Sequence, residues 1–552
     1  MNFRRWRGWA VAASVAGIAL AGPGIAGAQS ATPAAPANPP AASFQAQGAK
    51  ISRLTKAIQL TKDEPVSTRA FSGPVMLADP ANPRIIVAAT AELRTRVCYL
   101  ARSTDAGTTW HILSALPAPG SYPFCTHTSG GITQSPIAWG RNSTLYYALA
   151  GYNNADGGDT SRANASVLLA RSTDLGTSWS TSIADNTRGL TGQQITHDAP
   201  VASVAVDTSG PKDVVYVGWR QGHPFLTGAA STSGSAVAVS TDGGVTFAKA
   251  VDLNTFSHVT LDVKGTSYPL VLSSPFLAAG NGVVVAISGA GTPTGTSIPG
   301  PSQPMPVLAA RSTDQGRTWT VSAITQPTDA TRAPAIAWSP KGGARGTFLL
   351  AYQAAPNQQA GESSILFTRS TDGAQTWSPV VSIDDPTVSL DTTFLPAIDV
   401  APNGRVDVIW YDFRLQHGFS PDVYYTYSTD DGVSWAPNVR VTDQSIDYTL
   451  GVSANSDLRQ PPGVASANQY AAFGWADTRL GNPTTETQDV FADVAQFSAL
   501  PSNSSDVAPI LAAVFGGIAA AGLILVLVLL GRRRKEGPTP PKVGEPAPVS
   551  AG

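Results

Sequence analysis

Charge is what this sequence has least of. Asp, Glu, Lys and Arg make up 13% of its 552 residues and nearly cancel, leaving a net charge of -2. A nucleic-acid partner needs a basic surface to neutralise phosphates, so that class is excluded. Cysteine is almost absent, with Cys98 and Cys125 the only pair, and the 6 histidines are scattered. A zinc site wants several Cys or His at short spacing, so neither a metal centre nor a cofactor is expected. Glutamate is rare as well. Ahead of the C-terminal region only Glu64, Glu92, Glu362 and Glu486 occur, all in apparent loops.

What is abundant points to strands. The chain has 52 Gly, 43 Pro and 12 Trp, with 42% apolar residues. Low charge with many turn-formers predicts an all-β protein of short strands and tight turns.

The two ends read as targeting segments. Arg4, Arg5 and Arg7 precede an apolar stretch from Ala10 to Ala21, and Ala26-Gly27-Ala28 has the small residues of a cleavage site. Residues 1–28 are therefore expected to be a signal peptide. Residues 29–50 are rich in Ala and Pro and too poor in large apolar residues to pack, which predicts a linker. Near the other end, residues 508–530 carry no charge and Arg532-Arg533-Arg534-Lys535 follows at once. At about 1.5 Å per residue that stretch crosses roughly 30 Å of hydrocarbon as a transmembrane helix, with the basic cluster inside. Residues 501–507 would be a stalk and 531–552 a cytoplasmic tail. The expected topology is single-pass at the cell membrane, with the N-terminal ectodomain outside. Within the span, Ala513, Gly517 and Ala521 form a small-xxx-small stripe that could pair helices. Export to an oxidising compartment makes Cys98 and Cys125 a disulfide candidate.

An internal repeat carries the architecture. The octapeptide Ser103-Thr104-Asp105-Ala106-Gly107-Thr108-Thr109-Trp110 returns, as S-x-D-x-G-x-x-W, at 172–179, 240–247, 312–319, 370–377 and 428–435. Two copies deviate: Phe247 replaces Trp, and Ala374 stands where Gly belongs, with Gly373 one place early. Such an Asp can accept hydrogen bonds from its own turn, Gly supplies φ > 0, and Trp packs between strands. Asp105, Asp174, Asp242, Asp314, Asp372 and Asp430 are thus predicted to be structural. A second repeat is a Pro opening a short apolar run, at Pro74, Pro136, Pro200, Pro275, Pro334, Pro396 and Pro462. Each reads as the start of an innermost strand, where Pro loses no ladder hydrogen bond.

The octapeptide is the Asp box. Over residues 51–500 the chain resembles the BNR/Asp-box β-propellers, the sialidase-like group. The resemblance implies four-stranded blades around a channel. Seven Pro-led units predict seven blades, whereas sialidases have six, and six remains the alternative. The seventh unit lacks an Asp box and a fourth strand. Ala57-Ile58-Gln59-Leu60-Thr61-Lys62-Asp63 matches Asn438-Val439-Arg440-Val441-Thr442-Asp443, so the N-terminal strand is expected to complete that blade.

In such a blade the 2–3 loops and the blade-to-blade connections share one face, opposite the Asp boxes. The loops there are long and rich in Gly, Asn and Pro at 151–164, 220–234 and 289–305. Long loops on a rigid scaffold usually carry function. Residues just ahead of the inner-strand prolines are expected to face the channel: His197 and Asp198, Arg332, Asp391 and Thr393, Asp457 and Arg459. Trp-x-Asp-x-Arg recurs at Trp410, Asp412, Arg414 and at Trp475, Asp477, Arg479. It suits either strand-end capping or an anionic or polyhydroxyl ligand.

The resemblance implies, for an enzyme, three Arg on a substrate carboxylate, a Tyr nucleophile with its Glu, and an Asp acid/base. The Phe/Tyr-Arg-Ile-Pro motif of sialidases has no counterpart here, and no Tyr–Glu pair can be placed. Tyr448 and Tyr470 lie near Arg459 in sequence, and Arg220 or Arg479 would be needed for a third Arg. Two readings stay open: a surface-anchored propeller binding glycan, cell-wall polymer or protein, or an exo-glycosidase of sialidase type.

Overall fold

The short apolar run after each proline forms a strand because both faces of a blade can bury against its neighbours, as the wholly buried strands Phe276–Gly280 and Gly463–Ala467 show. In the computed structural model the described residues are 39–63, 69–94, 97–113, 122–124, 136–153, 164–186, 202–221, 234–293, 296, 298, 305–324, 334–357, 362–384, 393–415, 420–451 and 460–498. The expected signal peptide and transmembrane span lie outside them. Among the described residues no helix is long and apolar enough to cross a membrane.

These residues form a seven-blade β-propeller. The innermost strands, blade by blade, are Val75–Ala78, Ile137–Trp139, Ala202–Asp207, Phe276–Gly280, Ala335–Ser339, Thr393–Val400 and Gly463–Ala467. Each pairs antiparallel with a second strand, longer than it in every blade but blade 6, and the ring of inner strands closes blade 7 onto blade 1. All but one begin within two residues of their proline. The exception is blade 6, where the strand starts at Thr393 and Pro396 sits inside it. The register shifts between Phe394 and Ala397 and Leu395 takes φ 55°, so the proline occupies a β-bulge. Between blades 3 and 4 an extra hairpin, Thr260–Val263 with Thr266–Pro269, is added to the connection.

The Asp boxes join third to fourth strands through bonds confined to eight residues. In the second box the Ser172 hydroxyl donates to Asp174 Oδ1 at 2.7 Å and accepts the Gly176 amide at 2.8 Å. Asp174 also accepts the Ser178 amide at 2.8 Å and its hydroxyl at 2.6 Å. The same pattern recurs at Asp105, Asp242, Asp314, Asp372 and Asp430. A Cβ on Gly107, Gly176, Gly244, Gly316 or Gly432 would come within 2.8 Å of a side chain on the preceding blade. Three residues before their boxes, blades 1, 2 and 5 present Leu100, Leu169 and Phe367 to that glycine. Blade 4 has Ala309 at this place, buried in one cluster with Ala374. The deviant alanine of the fifth box thus meets a smaller neighbour, and it still adopts φ 63°.

Blade 7 is completed from the N-terminus, as its sequence match predicts. Ile58–Gln59 pairs with Ala492 and Phe491, and Ile51–Leu54 extends the same edge of Asp489–Phe497. The two threonines of the matched segments do the same job. Thr61 donates to Asp489 Oδ1 at 2.7 Å and accepts Val490 N at 3.1 Å. Thr442 donates to Asp422 Oδ1 at 2.7 Å and accepts Val423 N at 3.2 Å.

Residues 39–50, the last part of the expected linker, are docked rather than free. Ser43–Phe44 runs parallel to Ser434–Trp435, and Gln47 Oε1 accepts the Thr429 amide at 3.0 Å. Ala42 and Ala49 are buried. Small side chains, backbone bonds, the Gln45 and Gln47 amides and the single large apolar group of Phe44 hold this segment, which is why composition did not reveal it. Cys98, in the third strand of blade 1, is disulfide-bonded, and Cys125 lies outside the described residues.

Two outcomes follow from these bonds. Thr61→Val should lower the urea unfolding midpoint by the equivalent of about 1–3 kcal/mol, because it leaves the Val490 amide buried without an acceptor. Thr442→Val should match it. The Asp174 carboxyl is held down at about 2, chiefly by the Ser178 hydroxyl and amide. Asp314 and Asp372 also lie at about 2, because their box hydrogen bonds outweigh the desolvation that would raise them. A depressed carboxyl stabilises above its unfolded value, so this contribution should fade as pH drops from about 4 through about 2. Asp174→Asn should shrink the acid-induced loss measured by thermal unfolding across that window.

Candidate functional site

The second strands of blades 6 and 7 end on carboxylates that face other carboxylates. Asp412 pairs across the ladder with Asp422, and Asp477 with Asp489. All four are buried. Like charges directly opposite destabilise a sheet unless something neutralises them. Here each has its own guanidinium: Arg414 on Asp412 at 2.6 Å, Arg440 on Asp422 at 2.7 Å, Arg479 on Asp477 at 2.7 Å, and Arg69 on Asp489. The indole N–H groups of Trp410 and Trp475 donate to Asp412 and Asp477 at 3.0 and 2.9 Å. Arg414 lies over the Tyr424 ring and Arg479 over the Phe491 ring, at 4.1 and 4.2 Å from their centroids. Arg479 also reaches Asp443 at 2.9 Å. Burial works against the Arg479 charge, but Asp477 and Asp443 hold its pKa above the ordinary value. The two motifs therefore cap strand ends.

Blade 3 has the same position without the acid. Trp219 lies four residues past Val215, the partner of the box Ser240, just as Trp410 lies four past Val406, the partner of Ser428. Two residues beyond Trp219 stands Gln221 rather than Asp. Trp219 Nε1 and Arg220 Nε are buried with no partner among the described residues.

The predicted channel residues divide sharply. His197, Asp198, Arg332, Asp391, Asp457 and Arg459 all lie outside the described residues. Thr393 does not face the channel. It is fully buried, donates to Ser363 O at 2.8 Å and to Asp384 at 3.1 Å, and so ties blade 6 to blade 5. Glu92 and Glu362 belong to strands rather than loops, and the Glu92 carboxylate accepts the Ala70 amide at 3.0 Å. Tyr470 starts the second strand of blade 7 at the Asp-box end, where its hydroxyl donates to Pro83 O. It is thus far from the loop face. Tyr448 packs edge-on to Phe413, which stacks on Phe394 at 5.3 Å.

Inside the ring, the described wall is mostly apolar. A cavity of about 420 Å³ opens among the inner strands of all seven blades, toward the Asp-box end. Asp79, Trp139, Trp338 and Asp399 line it among Leu, Ile, Val, Ala and Pro. Asp399 also lines a smaller cavity of about 50 Å³ further along the channel. Its carboxylate accepts the Ser466 amide at 2.8 Å, and desolvation pushes its pKa up to about 7. Sequence spacing missed these four residues, because each lies on a different blade. Their common signal is a polar or aromatic residue close to the end of an apolar inner strand.

Removing one member of a buried pair leaves the other uncompensated. Arg479→Ala should therefore destabilise the fold by about 3–5 kcal/mol. An unchanged thermal midpoint would show that the guanidinium is not a structural partner of Asp477.

No protein-family model matches the chain, and no curated protein matches it in sequence. Solved structures do. A mutant α-L-arabinofuranosidase from Fusarium graminearum, bound to an iminosugar inhibitor, is 14% identical, with a TM-score of 0.42 over 65% of this chain and 92% of that one. A Trypanosoma rangeli sialidase is 13% identical, with a TM-score of 0.38 over 66% of this chain and 54% of that one. An ulvan lyase of a polysaccharide lyase family is 12% identical, with a TM-score of 0.41 over 79% of this chain and 95% of that one. Likenesses this distant carry no argument about ligand or chemistry.

Proposed function

We propose that this seven-blade Asp-box propeller is an extracellular, membrane-anchored binding protein that takes an acidic glycan, cell-wall polymer or protein ligand on its loop face. The reading is carried by blade 3. There the strand-end motif keeps its Trp219 and gains Arg220, but lacks the carboxylate that satisfies Trp410 and Trp475. A buried guanidinium nitrogen without an acceptor is costly, and a ligand carboxylate or sulfate would supply one. The long connections at 222–233 and 292–306 leave the second strands of blades 3 and 4 at the same end.

Anchoring rests on the uncharged stretch at 508–530 with the basic cluster behind it, and export on the signal-like residues 1–28. The disulfide at Cys98 fits an oxidising compartment.

The test is binding of the full-length protein to an array of acidic and neutral glycans, with fluorogenic sialosides and neutral glycosides assayed alongside. Arg220→Ala should weaken acidic-glycan binding at least about tenfold, equivalent to roughly 1.4 kcal/mol, without moving the thermal midpoint. Equal binding of acidic and neutral glycans would sink the proposal. Turnover of a sialoside would replace it with the exo-glycosidase reading.

A further inference from the structure

We propose that the Asp-box end of the central channel is a binding site for a small organic ammonium ion with an apolar body. The site lies at the opposite end from the loop face and does not depend on the reading given above.

The cavity of about 420 Å³ has the size of a small-ligand pocket. Asp79 and Asp399 are the only charged residues lining it, and no Lys, Arg or His does so among the described residues. Asp79 is fully buried. One of its oxygens accepts the Ala81 amide at 2.9 Å, but Oδ2 has no partner among the described residues. Its counterpart at the end of the blade 3 inner strand, Asp207, uses both oxygens. They accept the Ser209 amide at 2.9 Å and, from blade 4, the Gly282 amide at 2.7 Å. The site therefore holds a buried carboxylate oxygen that the fold leaves unmatched, where an equivalent residue is matched.

Asp399 faces a related problem. It sits across the ladder from Asp407, whose charge is already taken up by Arg405 at 2.8 Å and by the Tyr425 hydroxyl at 2.5 Å. Among the described residues no Lys, Arg or His lines the cavity beside Asp399, and burial, with Asp407 nearby, pushes its pKa up. The cavity thus offers a cation carboxylates from two blades, 1 and 6. The lining does not suit a metal ion, since no group of three metal-ligating side chains occurs among the described residues.

The remaining lining selects the kind of cation. Trp139 and Trp338, from blades 2 and 5, are half-buried in the wall. Indole faces attract ammonium groups, and the Leu, Ile and Val of the inner strands offer contact to alkyl substituents. Trp338 is held by its N–H donating to Arg345 O at 3.0 Å and by close packing against Gly280, so its ring is fixed. Gly280 leaves room for it, as a Cβ there would fall 2.3 Å from the ring.

The experiment uses the full-length protein and choline, followed by calorimetry and tryptophan fluorescence. The probe's neutral isostere, 3,3-dimethylbutan-1-ol, serves as the control. Choline should bind saturably, and the alcohol at least about tenfold more weakly. Asp79→Asn keeps the local turn, and Trp139→Leu removes an aromatic face. Each should weaken choline binding by at least about tenfold in protein with an unchanged unfolding midpoint. Equal binding of alcohol and choline, no saturable binding of either, or unaltered affinity in both folded variants would overturn the proposal.

Discussion

A ring of blades has no edges only if its last sheet is finished, and here the finishing strands come from the far end of the chain. Ile51–Leu54 and Ile58–Gln59 pair with the strand Asp489–Phe497, which would otherwise present a long unpaired ladder. The closure is polar as well as geometric. Arg69 meets Asp489 across 420 residues of sequence, and Thr61 shares that carboxylate. Blade 6 then clamps blade 7 from the other side. The buried Arg405 guanidinium reaches the backbone oxygens of Ala467 and Tyr470 and lies over the Phe497 ring. With the ring closed, every blade has neighbours against which to bury both faces.

Several of the buried charges serve that framework. In a chain so poor in ionisable groups, the carboxylates at the ends of blades 6 and 7 could have been taken for a ligand site. Instead each is saturated by an Arg two or more positions away and, in two cases, by a Trp two positions before it. Such pairs stabilise little relative to apolar packing but are costly to break, so they fix strand ends rather than strengthen the sheet. The informative positions are those where the pattern is incomplete. Blade 3 keeps the tryptophan and loses the acid, and Asp79 lacks the second amide that Asp207 receives.

Legibility in the sequence tracked the range of the interactions. The Asp boxes could be recognised because every donor and acceptor lies within eight residues of its partner, as Ser172, Asp174, Gly176 and Ser178 show. The swapped strand was legible because Thr61 and Thr442 repeat one local solution. The docking of residues 39–50 was not, since it depends on backbone bonds to Trp435 and on Gln47 meeting Thr429. Thr393 was misread for a similar reason. Its position ahead of a proline suggested a channel residue, but a bulge at Leu395 and Pro396 lets the strand begin earlier and turns that side chain to blade 5.

By itself, then, the sequence determined the unit and its number: an eight-residue turn that satisfies its own polar groups, a proline that starts each inner strand, and a seventh unit short of one strand. These are local chemistries, and local chemistry survives being read one segment at a time. Only the tertiary structure decided which polar atoms end up with nothing to bond. Asp79, Trp139, Trp338 and Asp399 come from four blades and share a cavity only because seven strands converge on one axis. Arg220 follows its Trp directly, and no described carboxylate meets its buried Nε, whereas Arg414 and Arg479, four residues past theirs, each pair with an Asp. Whether a buried charge is matched depends on every element packed around it, and that is fixed by closure of the ring.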